Sequence, residues 1–358
     1  MKLALAHEYL IKMGGAEKVI LDWLDAFNDP PIFTFLLDRD NLNTRLREKR
    51  DIYPSFLNSY PFSKKFYKYY FSLMPLAAES FDFRGYDVVL SDSHQFMKGI
   101  IVPQQTLHIC YIHTATRFLW LERKEPWGFK GLFEKLRQWD YLAAQRPDVV
   151  LANSHNAARR VEKYYKRKAL AVQPGIPLDK YRISEPEDYF LFVSRLEPHK
   201  KADLAVEAFK NLPYKLKIAG TGSELDKLKQ MARGAQNIEF LGYVNDENLI
   251  DLYAKCSALI FPQEEDFGLV PVEAQASGRP VIAYGRGGAL ETVKEGETGL
   301  FFYPHTAESL AAKVKEFKAS DFDPQKIRAW SENFSDTAFK ERIKKIVEEE
   351  WEKFRKNV

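Results

Sequence analysis

Residues 258–284 read ALIFPQEEDFGLVPVEAQASGRPVIAY, and their pattern predicts the fold of the second half of the chain. Short apolar runs open and close it, and each has the length and composition of a buried strand. The acidic loop between them leads into a segment that predicts a helix starting near Gly268. A strand, a helix and a second strand in this order predict a right-handed crossover in a parallel sheet.

The same alternation of strand and helix extends in both directions along the chain. In the second half, strands are predicted at Tyr189–Ser194, Tyr214–Ala219, Ile238–Leu241, Ala258–Phe261 and Pro280–Tyr284, and helices at Ala202–Phe209, Ser223–Arg233 and Glu247–Ala254. In the first half, strands are predicted at Leu3–Ala6, Ile32–Leu37, Asp87–Leu90, Leu107–Ile112 and Asp148–Ala152, with a tight turn at Gly14-Gly15 and a helix over Glu17–Phe27.

At 358 residues the chain is too long for one ordinary hydrophobic core. We therefore predict an α/β protein with two Rossmann-like, doubly wound parallel-sheet domains and a cleft between them. The predicted boundaries are 1–173 for the first domain, 174–188 for a proline-rich linker and 189–335 for the second domain. Apolar residues at helical spacing in 336–358 predict a final helix that crosses back toward the first domain.

The composition excludes several classes of protein. A hydrophobic fraction of 45% excludes a largely disordered chain, and no apolar run is long enough to span a membrane. The N-terminal segment becomes polar at His7 and Glu8, which is too early for a signal peptide. Cys110 and Cys256 lie in unrelated contexts and predict neither a disulfide framework nor a zinc cluster. We expect a cytoplasmic protein.

The net charge of +3 conceals an asymmetry between the two halves of the chain. Residues 1–173 carry 26 Lys and Arg against 19 Asp and Glu, whereas residues 174–358 carry 27 against 31. The basic first half predicts an anionic neighbour, and a phospholipid surface, a phosphorylated acceptor and a nucleic acid all fit.

Two glutamates flank the start of the helix predicted near Gly268. Ligands of parallel sheets bind outside the carboxyl ends of the strands, where helix N-termini offer unpaired N–H groups. Gly268 has no Cβ, so a ligand can approach the backbone there. Glu265 and Glu273 are placed to hold hydroxyl groups at two ends of an extended ligand. The alternative for Glu265 is that it only complements the positive end of the helix dipole.

Two cations are predicted at the same edge of the sheet. Arg195 directly follows the strand at Tyr189–Ser194, and Lys200 opens the next helix. A guanidinium group offers a planar fork to phosphate oxygens and an ammonium group a point charge, so the two together suit a diphosphate. The alternative is that Lys200 belongs to a solvated basic turn.

These residues carry a resemblance to a known family. Arg195 and Lys200, Gly220-Thr221-Gly222, and Glu265 with Phe267-Gly268-Leu269 and Glu273 resemble the retaining glycosyltransferases of family 4, which have the GT-B fold. Gly14-Gly15-Ala16-Glu17, Tyr111-Ile112-His113-Thr114 and Ala152-Asn153-Ser154 are also similar to that family, so the resemblance covers nearly the whole chain. The likeness is strongest to bacterial O-antigen and exopolysaccharide mannosyltransferases, although Ala115 and the stretch 174–177 depart from their usual pattern.

The resemblance implies transfer of a hexose from a nucleotide-sugar donor to a glycan or lipid-linked glycan acceptor, with GDP-mannose favoured over UDP-sugars. It implies that the first domain, 1–173, binds the acceptor and that the second, 189–335, binds the nucleotide sugar. It implies that Arg195 and Lys200 hold the donor diphosphate, that Glu265 binds hydroxyls of the donor sugar and that Glu273 binds the ribose. It further implies that the backbone of Phe267, Gly268 and Leu269 contacts the donor sugar and that Gly242, Tyr243 and Val244 contact the nucleotide base. It also implies that the loop at Gly15 approaches the donor phosphates and that His113 contacts the donor sugar. The alternatives are a plain strand-to-helix turn for Gly15 and a buried, hydrogen-bonded histidine for His113.

The chemistry expected from this resemblance needs neither a metal ion nor a cofactor beyond the nucleotide sugar. Negative charge builds on the departing diphosphate, and fixed cations can stabilise it as a metal would. In this family retention is explained by attack on the face that the diphosphate leaves. Glu265 is therefore expected to bind sugar rather than to act as the nucleophile of a double displacement.

Other functions remain open at this point. Asp38-Arg39-Asp40 resembles the metal-binding carboxylates of the other large transferase fold. That interpretation would leave the motif pattern of the second half of the chain unexplained. Gly14-Gly15 does not meet the Gly-x-Gly-x-x-Gly pattern of a dinucleotide dehydrogenase. A nucleotide-sugar epimerase of GT-B architecture and a non-catalytic sugar-nucleotide-binding protein are the remaining alternatives.

The segment 62–71, FSKKFYKYYF, interleaves aromatic rings with lysines. Such a segment suits an anionic membrane surface, and we expect peripheral contact with the inner face of the cell membrane. The alternative is a core-facing helix with a solvated lysine edge. No module elsewhere in the chain supports nucleic-acid binding, so none is expected.

Overall fold

The computed structural model describes residues 1–121 and 130–357, apart from the side chain of Lys68. The chain divides into two compact units. Unit 1 comprises Met1–Gln173 and Phe339–Val358, and unit 2 comprises Pro174–Ala338. Each unit is built on a parallel sheet with connecting helices, which confirms the predicted pair of Rossmann-like α/β domains.

The described residues of unit 1 contain seven strands: β1 (Leu3–Leu10), β2 (Ile32–Leu37), β3 (Ile52–Pro54), β4 (Val88–Ser93), β5 (Leu107–Ile112), β6 (Val149–Ala152) and β7 (Leu170–Ala171). Its helices within 1–173 are α1 (Gly15–Ala26), α2 (Thr44–Glu48), α3 (Ser63–Phe66), α4 (Met74–Glu79), α5 (Arg117–Trp120), α6 (Lys130–Ala143) and α7 (His155–Tyr165). The strands are parallel in the order β3-β2-β1-β4-β5-β6-β7, so the chain reverses its direction of winding between β1 and β4.

Unit 2 contains six strands: β8 (Phe190–Val193), β9 (Leu216–Ala219), β10 (Ile238–Gly242), β11 (Ala258–Phe261), β12 (Val281–Tyr284) and β13 (Gly299–Phe302). Its helices are α8 (Ala202–Lys210), α9 (Leu225–Met231), α10 (Asp246–Lys255), α11 (Leu269–Ala276), α12 (Ala289–Thr292), α13 (Ala307–Glu316) and α14 (Pro324–Ser331). The strands are parallel in the order β10-β9-β8-β11-β12-β13, which places the reversal between β8 and β11.

Strand β1 is longer than the predicted Leu3–Ala6. It continues to Leu10, and all eight residues are buried, including His7 and Glu8. Strand β4 likewise continues past the predicted Leu90 through Asp92 to Ser93. An apolar pattern ends where polar residues begin, but a buried polar side chain is compatible with a strand when it has hydrogen-bond partners. The prediction therefore stopped too early in both strands.

The turns next to the predicted site also differ in detail from expectation. Lys200 does not open a helix. It ends a 3₁₀ turn over Pro198–Lys200, Lys201 adopts a left-handed φ of 57°, and α8 begins at Ala202. Gly14 is the extended residue before α1, so Gly15 is the first residue of that helix rather than part of a free turn.

The final helix, α15 (Asp336–Phe354), presents one apolar stripe. Phe339, Ile343 and Val347 are buried in the same hydrophobic cluster as Leu5 and Trp23 of unit 1. The stripe is therefore part of the core of unit 1. In the part of the chain that the structure describes, no helix has the length and apolar character needed to span a membrane.

Candidate functional site

The loop that carries Arg195 follows β8 and is packed against the loop after β9. A Cβ at Gly220 would lie 1.8 Å from the carbonyl oxygen of Ser194, and one at Gly222 would lie 2.4 Å from that of Leu196. The N–H of Leu196 donates to the carbonyl of Thr221 over 2.9 Å. The Gly-Thr-Gly motif thus positions the backbone around Arg195, whose own side chain is exposed to solvent.

Lys200 and Glu265 form an ion pair between their Nζ and Oε1 atoms. Both side chains are largely buried, with 14% and 25% of their surface exposed. The two residues lie beyond the carboxyl ends of β8 and β11, where the winding of the sheet reverses. Ligands of open α/β sheets bind outside this point of a sheet. The structure therefore brings together one predicted diphosphate ligand and one predicted sugar ligand, and each neutralises the other.

The acidic loop around Glu265 rests on a glycine pair after β12. The N–H of Gly288 donates to the carbonyl of Glu265 over 2.9 Å, and a Cβ at Gly288 would lie 2.1 Å from the carbonyl oxygen of Phe267. Gly287, at φ 64°, would place a Cβ 2.4 Å from the carbonyl oxygen of Glu265. The sequence analysis missed this support. The Gly-Arg-Gly-Gly run directly after the strand predicted at Pro280–Tyr284 is the signal that could have shown it.

The N-terminus of α11 offers hydrogen-bond donors next to this loop. Gly268 has a φ of 92°, which favours glycine, and the Phe267 ring is buried against Phe334. The backbone N–H groups of Phe267, Gly268 and Leu269 donate to no backbone carbonyl among the residues that the structure describes. With the positive end of the helix dipole behind them, these groups can receive an oxygen ligand.

Glu273 is buried in α11, with 6% of its surface exposed. The hydroxyl of Tyr253 donates to its Oε2 over 2.8 Å. Burial, and then the charge of Glu273, raise the pKa of Tyr253 and of Tyr181 far above the ordinary tyrosine value. The two tyrosines therefore hold this carboxylate as neutral hydroxyl donors, a role that the sequence analysis did not identify. The contact between Glu273 and a ribose stays a prediction.

The predicted base-binding residues lie at the end of β10. Gly242 adopts a φ of 68°, and Tyr243 is 80% exposed. Tyr243 and Val244 line an open cavity of about 550 Å³ together with Lys217. Arg195, Lys200, Glu265 and Glu273 are not among the residues that line it. The base contacts assigned to these residues therefore also stay predictions.

In unit 1, His113 belongs to a buried network at the reversal between β1 and β4. Its Nε2 lies 2.7 Å from Oδ2 of Asp92, and Nδ1 of His7 lies 3.2 Å from Oδ1 of the same carboxylate. Glu17, in the first turn of α1, lies 3.6 Å from Nε2 of His7. Asp92 and His7 face each other across neighbouring strands and are inaccessible to solvent, whereas the His113 side chain is 15% exposed.

The network favours charge on both imidazoles. Burial acts to lower the pKa of His7 and His113, but nearby carboxylates, chiefly Asp92, outweigh burial and raise the pKa of both. Burial acts to raise the pKa of Asp92, yet the two imidazoles hold it well below its usual range. The network was missed because His7 and Asp92 are polar residues within strands, which is itself the signal that could have shown it. The donor contacts expected of His113 and Gly15 stay predictions.

Asp38 and Asp40, the carboxylates that the alternative transferase fold would use to bind a metal, do not form a metal site among the described residues. The guanidinium of Arg39 donates to the carbonyls of Leu46, Arg47 and Lys49, so the segment 38–40 is a structural turn. No group of three or more His, Cys, Asp or Glu in the described part of the chain is arranged to hold a metal. That reading is wrong because the fold has two parallel-sheet units of the GT-B kind.

Family models match both parts of the chain. Residues 13–180 match the model described as Glycosyltransferase Family 4, and residues 178–334 match the model described as Glycosyl transferases group 1. The D-inositol 3-phosphate glycosyltransferase of Mycobacteroides abscessus is 33% identical over 222 residues, which cover 54% of this chain and 48% of that protein. An uncharacterized glycosyltransferase of Methanocaldococcus jannaschii is 27% identical over 185 residues, 51% of this chain and 53% of its own. The chain spans about half the length of the curated relatives it matches.

Solved structures share the fold over almost the whole chain. HepE of Anabaena in complex with UDP is similar with a TM-score of 0.73 and 18% identity, covering 98% of this chain and all of its own. A sucrose-phosphate synthase from Thermosynechococcus elongatus is similar with a TM-score of 0.75 and 17% identity, covering 97% and 98%. The fold is therefore GT-B. The two family models together span residues 13–334 and identify one glycosyltransferase domain of each kind in the chain, so the epimerase and non-catalytic alternatives are not favoured.

Proposed function

We propose that the chain is a retaining hexosyltransferase that moves mannose from GDP-mannose to a glycan or lipid-linked glycan without a metal ion. The observation that carries this proposal is the ion pair of Lys200 and Glu265 at the reversal between β8 and β11. A cation and a carboxylate side by side match a donor whose diphosphate is joined directly to a sugar. The mannosyl assignment is supported by the sequence resemblance alone.

The proposed chemistry replaces the ion pair with ligand contacts. The diphosphate takes the ammonium of Lys200 and the guanidinium of Arg195, and a sugar hydroxyl takes the carboxylate of Glu265. The bond from the sugar C1 to the phosphate oxygen then breaks, and the acceptor oxygen bonds to C1 on the same face. The acceptor proton passes to the departing phosphate oxygen, so no protein nucleophile is required. The two cations stabilise the charge that develops on the diphosphate.

A thermal-shift panel of nucleotide sugars, run with and without EDTA, tests the donor and the metal together. We expect GDP-mannose to raise the melting temperature selectively, by the same amount with the chelator present. Selective stabilisation by a UDP-sugar would overturn the mannosyl assignment, and solved HepE structures containing UDP or UDP-glucose make UDP-glucose the first comparison. Stabilisation by none of the donors, together with no transfer of labelled sugar to any acceptor fraction, would overturn the transferase itself.

We also propose that the segment 62–71 contacts an anionic membrane surface. Phe62 and Tyr69 are 76% and 79% exposed, and Phe66 is 44% exposed, whereas Tyr67 and Phe71 pack on the core of unit 1. Exposed rings beside exposed lysines suit the headgroup region of a bilayer. Phosphatidylglycerol vesicles at low salt should sediment the protein, and neutral phosphatidylcholine vesicles should not. Equal sedimentation in both, or in neither, would contradict this contact.

A further inference from the structure

Unit 2 contains a cavity of about 260 Å³ that none of the roles above uses. Three of the segments that line it, residues 183–186, Ser257 and residues 278–280, precede strands β8, β11 and β12. This amino-edge cavity therefore lies at the edge of the parallel sheet where the strands begin. Lys200 and Glu265 lie beyond the opposite edge, so the cavity is separate from the proposed donor site.

Arg279 lines the amino-edge cavity although only 4% of its surface is exposed. Its Nε donates to the carbonyl of Ala254 over 2.9 Å, and its Nη2 donates to the carbonyl of Ser184. These are the hydrogen bonds that its side chain forms with described residues. The remaining nitrogen, Nη1, forms none with them and is not sealed from solvent. Nη1 can therefore donate to a ligand in the cavity.

The charge of Arg279 lacks a carboxylate partner. Its guanidinium group stays protonated and forms no ion pair with an Asp or Glu of the described chain. Ala254 lies in the last turn of α10, and the end of a helix supplies only a partial negative charge. Burial lowers the pKa of Arg279 despite the opposing effect of Cys256 and then of Glu185. Because a buried charge without a full counter-charge is unfavourable, an anion that enters the cavity would be stabilised.

The walls around this cation are mostly apolar and held in place. A Cβ at Gly278 would lie 2.9 Å from Cβ of Pro324 and 3.0 Å from Cγ1 of Ile183, so both residues pack directly against its backbone. The Phe322 side chain is itself buried. A site with positioned walls costs little reorganisation when a ligand enters. The apolar residues of the lining, glycine apart, are Ile183, Pro186, Pro280, Ala319, Phe322 and Pro324.

The polar part of the lining restricts the charge of the ligand. The Ser184 hydroxyl donates to the carbonyl of Ala254 over 2.9 Å, and the Ser257 hydroxyl donates to that of Glu187 over 3.0 Å. Glu185 also lines the cavity, and its side chain is exposed to solvent. Its negative charge repels an incoming dianion more strongly than a monoanion. The cavity therefore suits a ligand with one negative charge and an apolar body.

We propose that the amino-edge cavity binds a small organic acid, with its single carboxylate on Arg279 and its apolar body against Phe322 and the prolines. A carboxylate accepts charge-assisted hydrogen bonds from a guanidinium group, and these are stronger than hydrogen bonds between neutral groups. The volume lies below the roughly 300–1,000 Å³ of most ligand pockets, so the acid is small. This site does not depend on the proposed transferase function.

Fluorine NMR with 4-fluorobenzoate as the probe tests the site in the intact protein. We expect a dissociation constant of about 1 mM or tighter. The neutral analogue 4-fluorobenzamide should bind about tenfold more weakly or worse, because it offers no charge to Arg279. GDP, a ligand of the proposed donor site, should not displace the probe. Displacement by GDP, or equal binding of the acid and the amide, would overturn the assignment.

Two substitutions remove the site in different ways. Arg279→Met removes the charge, and Ala319→Trp fills the cavity from its exposed wall while keeping the guanidinium group. We expect each to weaken probe binding by about tenfold or more. Glu185→Gln should strengthen it by about twofold or more, because a like charge is removed. Arg233→Met and Glu239→Gln, at exposed positions of unit 2 outside the lining, are the matched controls and should leave binding unchanged.

Arg279→Met also loses two hydrogen bonds to backbone carbonyls, so its melting temperature is compared with that of the wild-type protein. If this variant is unfolded, Ala319→Trp decides, because it keeps both bonds. Unchanged probe binding in Ala319→Trp, or no binding by the wild-type protein, would overturn the proposal. A loss of stability in Glu185→Gln without stronger probe binding would identify Glu185 as the counter-ion of Arg279 and would overturn the proposal as well.

Discussion

Lys200 and Glu265 illustrate how single residues prepare a site for a ligand of mixed charge. Each would carry an uncompensated charge in a partly buried position if it stood alone, which is unfavourable. Paired, they keep the ligand-free site near neutrality. A donor with a diphosphate and a sugar hydroxyl can replace both halves of the pair at once. On the proposed function, a ligand with only one of these groups would leave the other residue unsatisfied, so we expect the pair to favour the complete donor.

Replacing either cation should lower turnover strongly. We expect Arg195→Ala and Lys200→Ala to reduce kcat by about 10²–10³, the scale for losing one group that stabilises developing charge. Lys210→Ala is the control, because Lys210 lies at the far end of α8 and contacts only an exposed glutamate among the described residues. Wild-type turnover in Arg195→Ala, measured as transfer of labelled sugar, would defeat its assignment.

The effects of Lys200 and Glu265 should not add. Because the two side chains contact each other, the first substitution already removes the pair, and the second then costs less. We expect a coupling of about 0.5–3 kcal/mol in donor binding for Lys200→Ala combined with Glu265→Gln. A double-mutant cycle measured by titration of the donor checks this. Strict additivity would mean that the two residues act on separate parts of the ligand without coupling.

Asp92 should control both stability and the charge of His113. Asp92 has a lowered pKa, so its contribution to stability is present above about pH 4 and is lost as the pH falls through its folded value. His7 and His113 have raised pKa values, so their contribution is complete below about pH 6.5 and is lost as the pH rises through their folded values. The network thus contributes most to the stability of the fold between about pH 4 and about pH 6.5.

The Asp92→Asn protein tests this network. Removing one partner of a buried charge pair costs about 3–5 kcal/mol, so the free energy of unfolding should fall by that amount near pH 5 and by less at pH 9. The His113 imidazole should also titrate at a lower pH in NMR spectra, because the carboxylate that chiefly raises its pKa against burial is then gone. Asp40→Asn, an exposed aspartate in the same unit, is the control. An equal loss of stability at both pH values would exclude the charge network as its cause.

At the scale of the elements, two loops of unit 2 depend on glycines that belong to neighbouring loops. Because Gly220 and Gly288 have no Cβ, the backbone after β8 can pack directly against Gly220 and the backbone after β11 directly against Gly288. The catalytic candidates Arg195 and Glu265 therefore rest on loops after β9 and β12, to which no ligand role is assigned. The glycines therefore accompany the charged residues because they support the loops that carry them. The glycines themselves need not contact a ligand.

Adding a methyl group at either glycine should displace these loops. We expect Gly220→Ala and Gly288→Ala to lower stability by about 1–3 kcal/mol and to weaken donor binding, because the contact is with backbone that cannot rotate away. Gly131→Ala is a matched control: a Cβ there meets nothing within 4 Å, and the residue lies in helix α6. It should be neutral or stabilising. Chemical denaturation of the three variant proteins measures the loss of stability, and donor titration measures the loss of donor binding.

The sequence predicted the alternation of elements well and the partners of polar residues poorly. Buried strands such as β5 and β11 have apolar runs that match the observed bounds, because periodicity reports burial directly. Strand β7 has only two residues, too few for any pattern. The pairing of Lys200 with Glu265 joins residues 65 positions apart, and the contact of Asp92 with His7 joins residues 85 apart. Such contacts are set by strand order, which local sequence does not encode.

At the scale of the whole molecule, the chain leaves unit 1 after Gln173 and returns to it at Phe339. The returning helix α15 contributes Phe339, Ile343 and Val347 to the core of unit 1. The stability of unit 1 therefore depends on residues that are more than 160 positions from the end of its first segment. Unit 2, by contrast, is one continuous piece of chain.

Shortening Ile343 should destabilise unit 1 selectively. We expect Ile343→Ala to cost about 2–5 kcal/mol, since the side chain is inaccessible to solvent within the core cluster. Hydrogen exchange should accelerate in the strands of residues 1–173 and remain unchanged in those of residues 174–338. Lys345→Ala, whose side chain is 75% exposed on the same helix, should leave both rates as they are. Equal acceleration in both units would show that they unfold together.

The return of α15 to unit 1 also has a consequence for synthesis on the ribosome. Translation proceeds from the N-terminus at about 5–20 residues per second. The strands of unit 1 are made before unit 2, but the helix that closes their core is made after it. Unit 2 can complete its sheet while the earlier half still exposes the apolar surface that Phe339, Ile343 and Val347 will cover. For about 8–33 seconds the nascent chain thus carries an unfinished unit 1, and chaperone binding should be concentrated there.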